Sequence, residues 1–165
     1  MDVEKACTPT VFCLAWPEDI NELFHKGDIT NSYLEMEGLL MLWIVMEEVC
    51  LKLRTDHILL FSDNSPTIGW VKRLAVRISL VAMQLVQALT LRFKNAGASP
   101  FAHLHIAGEA NYMTDIPSRS FGSNLAWFCK NDTDLLNLFN KIFPWPNQAY
   151  WTVFSLSKAT SMKVI

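Results

Sequence analysis

Hydrophobic positions along the chain fall into short continuous runs set between longer helical stretches. TVFCLAW at 10–16 is rich in β-branched and aromatic residues and stops at Pro17, which predicts a strand. PEDINELFHKG fits a short helix or an irregular excursion closed by Gly27. From Tyr33 to about Leu53 the residues favour helix, and Ser32-x-x-Glu35 has the form of a capping box. That helix is apolar on nearly all sides, so it should be covered on more than one face. HILLFS at 57–62 is a continuous apolar run and predicts a strand buried on both faces.

DNSPT then places Pro66 for the first turn of a helix that breaks near Arg77. A longer helix is expected from Ser79 to Asn95, stopped by Gly97. FAHLHIA at 101–107 predicts another strand, followed by a short helix around Asn111–Ser118. DTDLLNLFNKIF predicts a last helix, and YWTVF at 150–154 a strand. Strands alternating with helices point to an α/β layer fold in which helices cover a central sheet.

Composition narrows the function without fixing it. The 165 residues suit one domain with a real core, and 51% hydrophobic against 18% charged residues exclude a disordered role. A formal charge of -2 gives no global electrostatic footprint for nucleic acid, although a local basic patch is compatible with it. Cysteines at 7, 13, 50 and 129 form no CxxC pair and read as thiols in a reducing compartment. LLMLWIVM at 39–46 is too short to span a bilayer. The N-terminus lacks the pattern of a secretory signal, so a soluble cytoplasmic or nuclear protein with no membrane partner is expected.

Three acids carry candidate chemistry. Asp63 ends the HILLFS strand, Glu35 opens a helix, and Asp115 follows the FAHLHIA strand. Each has an ordinary explanation: an N-cap for Asp63, a capping-box acid for Glu35, a surface acid for Asp115. Gathered at one sheet edge they would resist joint ionisation and call for a cation. All-oxygen donors suit Mg²⁺ or Mn²⁺, and two such ions about 4 Å apart activate water and stabilise a leaving phosphodiester oxygen.

The three contexts together resemble the ribonuclease H domains attached to retrotransposon reverse transcriptases. TNSYLE at 30–35 resembles the family's Thr-Asn-x-x-x-Glu helix start. LLFSDNSPTIGWV at 59–71 resembles its strand-then-Asp element. HIAGEANYMTDIPSRS at 105–120 is similar to the retroelement pattern Gly-x-x-Asn-x-x-x-Asp-x-x-Ser-Arg, carried by Gly108, Asn111, Asp115, Ser118 and Arg119. The resemblance covers residues 10–120 and implies a ribonuclease H-like mixed sheet flanked by helices. It implies Glu35, Asp63 and Asp115 as ligands of two Mg²⁺ or Mn²⁺ ions, and hydrolysis of the RNA strand of an RNA–DNA hybrid during replication of a transposable element. Gly108 would let the chain leave its strand. Asn31, Asn64, Lys72 and Arg73 are candidates for nucleic-acid contacts, with Arg77 beside them; an ordinary solvated helix face is the alternative for the cations. His103 and His105 read as strand residues, and Glu109 as an acid behind the site.

One feature of the family is missing. A first strand bearing a fourth, bridging Asp should precede residues 10–16, and Asp2 is the nearest candidate in the short MDVEKACTP segment. That predicts a domain over 1–121 incomplete at its N-terminus, as in a truncated reading frame or a polyprotein piece, with the reverse transcriptase region upstream as a partner. YWTVF is the segment available to substitute for the lost strand. Residues 122–165 form a C-terminal extension of no assigned role, expected to pack on the same domain. The competing expectation is an inactive remnant or interaction domain with the same fold and a crippled metal site. A small-ligand α/β protein has little support, because no GxGxxG or P-loop occurs.

Overall fold

The computed structural model describes residues 9–13, 16–49, 58–77, 79–98, 102–115, 131–144 and 151–154. These residues make an α/β protein of two compact units, one running from Trp16 to Ala110, the other joining residues 9–13 to those from Asn111 onward.

The Trp16–Ala110 unit starts with α1 (Glu18–Lys26), which carries acids in its first turn and His25 and Lys26 in its last, matching the helix dipole. Gly27 closes it at φ 81, a left-handed conformation that glycine adopts without a Cβ clash. Helix α2 (Asn31–Val49) follows, and it buries Met36, Leu39, Leu40, Met41, Trp43, Ile44 and Val45. As its all-round apolar character implied, it is covered on more than one side, packing against both α3 (Ser65–Arg73) and α4 (Leu80–Ala96). Ser79 caps α4 by accepting the Ala82 N–H at 3.2 Å, and Gly97 ends it at φ 62. Glu47 ties α2 to α4: it accepts the Trp43 indole N–H at 2.9 Å and pairs with Arg92 at 2.5 Å.

Strands β2 (Leu59–Ser62) and β3 (Ala102–His105) pair in parallel, with Leu59 opposite Ala102 and Ser62 opposite His105. Ile58 and Leu60 join the core of α2, α3 and α4 residues. Leu59 and Phe61 point the other way and are 49% and 54% exposed, so the expectation of a strand buried on both faces fails. Alternation decides it: successive side chains leave opposite faces, and the helices described here cover only one.

In the other unit, β1 (Thr10–Val11) pairs in parallel with β4 (Thr152–Val153). The pairing is held by Thr152 N–H to the Pro9 carbonyl and Phe154 N–H to the Val11 carbonyl, both at 2.9 Å. Helix α5 (Asp132–Ile142), capped by Asn131, supplies Leu135, Leu138 and Phe139 to a small core with Val11 and Trp151. Residues 112–115 form one helical turn, with the Asp115 N–H bonded to the Asn111 carbonyl at 3.0 Å. The C-terminal segment thus builds a core with β1. Strands are shorter than the sequence suggested, two residues at 10–11 and four at 59–62 and 102–105.

Among the described residues, no helix is long and apolar enough to cross a membrane.

Candidate functional site

Asp63 sits at the bend that follows β2, at the carboxyl end of a parallel strand pair, where α/β sheets gather their sites. It does not cap α3. Asn64 does, its Oδ1 accepting the Thr67 N–H at 3.0 Å. The N-cap explanation for Asp63 is therefore displaced by one residue, and its carboxylate has no part in starting the helix. The bend is pinned on three sides. The Ile106 N–H donates to the Ser62 carbonyl at 3.0 Å, the Asn64 N–H to Ser62 Oγ at 3.0 Å, and His105 Nε2 lies 3.1 Å from the Asp63 carbonyl.

Glu35 comes from the first turns of α2. The helix begins at Asn31, so Glu35 is its fifth residue and Ser32 lies inside it, out of register for the expected capping box. Ser32 instead offers its carbonyl to Thr67. The Thr67 hydroxyl, fully buried, lies 3.2 Å from that carbonyl and 3.0 Å from Asn64 Oδ1, its one proton shared between two acceptors. Tyr33 stacks on Trp70 at 5.9 Å between ring centroids. These contacts clamp the start of α2 to the start of α3, and so bring Glu35 beside Asp63. Burial pushes the Glu35 carboxyl above its ordinary value, the Asp63 charge pushes it further the same way, and a hydrogen bond from the Asn31 side chain opposes both.

Gly108 borders the pair. A Cβ on Gly108 would stand 3.6 Å from Asp63 Oδ2, an ordinary van der Waals contact. Its backbone is not left-handed, and it lies just past the end of β3.

No family model, curated protein or solved structure matches this chain.

The other expected site residues are placed as follows. Asp115 and Asn111 belong to the second unit, in and just before the 112–115 turn. Asp2, Ser118 and Arg119 lie outside the described residues. Asn31 joins the site through Glu35, and Asn64 through its cap. Lys72 and Arg73 are exposed in the last turn of α3, about 12 Å along the axis from the helix start beside Asp63. The Arg73 guanidinium folds back over Gly69. Glu109 is exposed in a short 3₁₀ turn at 108–110. Among the described residues, no group of three or more His, Cys, Asp or Glu side chains is placed to hold a metal ion. Sequence reading missed His105, because its link to Asp63 depends on the register that sets Ser62 against it.

Glu35 and Asp63 are both partly buried, and the Asp63 charge adds to the cost of ionising Glu35. Their donors are all oxygen, which suits Mg²⁺ or Mn²⁺ rather than a softer metal.

Proposed function

We propose that the chain is a ribonuclease H-like domain that hydrolyses the RNA strand of RNA–DNA hybrids with Mg²⁺ or Mn²⁺, in the replication of a retroelement. The observation that supports this reading is the Glu35–Asp63 pair: two acids released from capping duty and held together at the carboxyl end of a parallel strand pair. Folding brings them together against their mutual repulsion, a cost that a cation bound between them offsets. In this reading Glu35 and Asp63 would hold one divalent ion. A bound ion lowers the pKa of its water and neutralises charge on the leaving oxygen. Glu35 and Asp63 contribute negative charge in a fixed place, Asn31 orients the Glu35 carboxyl, and Gly108 lies beside the Asp63 carboxylate.

A second reading, an inactive remnant or interaction domain of the same fold, is favoured by one observation: the described residues hold no group of three metal-ligating side chains. A labelled RNA–DNA hybrid separates the two. Mg²⁺- or Mn²⁺-dependent cutting of the RNA strand that Asp63→Asn abolishes supports the nuclease. Folded protein that leaves the hybrid intact supports the remnant.

A further inference from the structure

We propose that His105 is the positioning residue of the carboxylate pair: its ring Nε2–H donates to the main-chain carbonyl of Asp63 and holds that residue beside Glu35. The contact is 3.1 Å between Nε2 and the carbonyl oxygen. A carbonyl can only accept, so the ring nitrogen must carry the proton, which selects the Nε2–H form.

The need for this bond follows from where β2 ends. The last ladder bond runs from the Ile106 N–H to the Ser62 carbonyl. One residue further the chain bends into α3, and the Asp63 carbonyl points beyond the end of the strand pairing. That carbonyl is left outside the ladder, open to a side-chain donor. His105 stands directly across from Ser62 in the register, and its side chain reaches one residue past its own backbone pairing. The result is a ladder extended by one side-chain rung, placed at the residue whose carboxylate faces Glu35.

An ordinary strand histidine would not need this geometry. His105 is exposed and outside the core, so packing does not explain its orientation. His103, two residues earlier on the same strand, shows the contrast: its Nε2 is buried with no hydrogen-bond partner. The inference rests on the reading of Asp63 as a cation ligand for its functional meaning, but the bond itself can be tested without any metal.

The experiment compares wild type with His105→Phe, which keeps the ring shape and loses the donor, and His105→Gln, whose side-chain N–H reaches to a similar place. In metal-free protein, NMR reads the contact between the Gly108 Hα and Asp63 Hβ protons together with the Asp63 carbonyl ¹³C shift. Wild type and His105→Gln should share the contact and the shift, and His105→Phe should lose both while resonances of α4 stay in place. An unchanged contact in His105→Phe overturns the proposal. Mn²⁺ titration of the same three proteins then reads the consequence. His105→Phe should bind roughly tenfold more weakly, the low end of what loss of a ligand-orienting partner produces, with His105→Gln restoring affinity. Measurable binding of equal affinity in all three proteins also overturns it. Wild type that keeps the contact and binds no Mn²⁺ contradicts the cation reading of the pair and leaves His105 supported as the residue that places Asp63.

Discussion

Asn64 Oδ1 accepts the Thr67 N–H at 3.0 Å, which fills the cap that Asp63 would otherwise supply to α3. The same oxygen lies 3.0 Å from the Thr67 hydroxyl, which also reaches the Ser32 carbonyl on α2. The cap of one helix and the seat of another therefore share one residue. Asn64→Ala should cost about 1 kcal/mol or more of stability, the usual scale for a lost N-cap. Asp63→Asn should cost little, because its carboxylate caps nothing. Urea unfolding of the two variants checks the contrast, and a double-mutant cycle with Thr67→Val should be non-additive because the two side chains share a bond.

Glu35 makes stability depend on pH in a definite direction. Its folded-state pKa is raised, first by burial and then by Asp63, so folding favours its protonated form. That contribution is fully present below the ordinary value near 4.5 and is lost as pH rises through the raised one. Gln keeps the neutral form at every pH. Glu35→Gln should thus match wild type in acid and be the more stable protein at pH 7 without divalent cation. Adding Mg²⁺ should narrow the gap by stabilising wild type alone, which thermal unfolding in both conditions reads directly.

His103 acts on the opposite side. Burial, and then the Lys72 charge, lower its pKa below 6.5. A base with a depressed folded pKa gives stability that is present above the ordinary value and lost as pH falls through the folded one. His103→Leu also removes the buried nitrogen that has no partner. This variant should be at least as stable as wild type at pH 7.5 and clearly more stable at pH 5.5, measured by urea midpoint at the two pH values.

Leu74 closes α3 at φ 48 and is 48% exposed, a left-handed cap made by a residue that carries a Cβ. Leu74→Gly should stabilise the protein by about 1 kcal/mol, since glycine adopts that conformation without the steric penalty and little packing is lost. A fall in Tm would show that the Leu74 side chain packs more tightly than its exposure indicates.

Much of the helical layout was legible from local signals. Ser79 and Gly97 bracket α4 as their residue types imply, and Pro66 stands in the first turn of α3. Strand extent was less legible, because an apolar run such as TVFCLAW states preference and not pairing, and among its described residues only Thr10 and Val11 find a partner strand. The two capping assignments were each misplaced by a residue or two. Asp63 competes with Asn64 for one cap, and Ser32 resembles a helix start while tertiary contact through Thr67 sets it inside the helix. The pairing of Glu35 with Asp63 was suggested by motif order, yet what holds it, the Thr67 clamp and the His105 bond, joins residues 35 and 42 apart in sequence. Such links exist only once the strand register and helix packing are set.

The most direct measurement is a Mn²⁺ titration followed by NMR on isotopically labelled protein and its Asp63→Asn variant. A paramagnetic ion broadens nuclei around its site, so an ion held by the pair should erase the signals of Glu35, Asp63 and Gly108 first, with those of α4 surviving. The variant should lose this local broadening. Broadening centred elsewhere, or identical in the variant, would contradict a cation site built on Glu35 and Asp63.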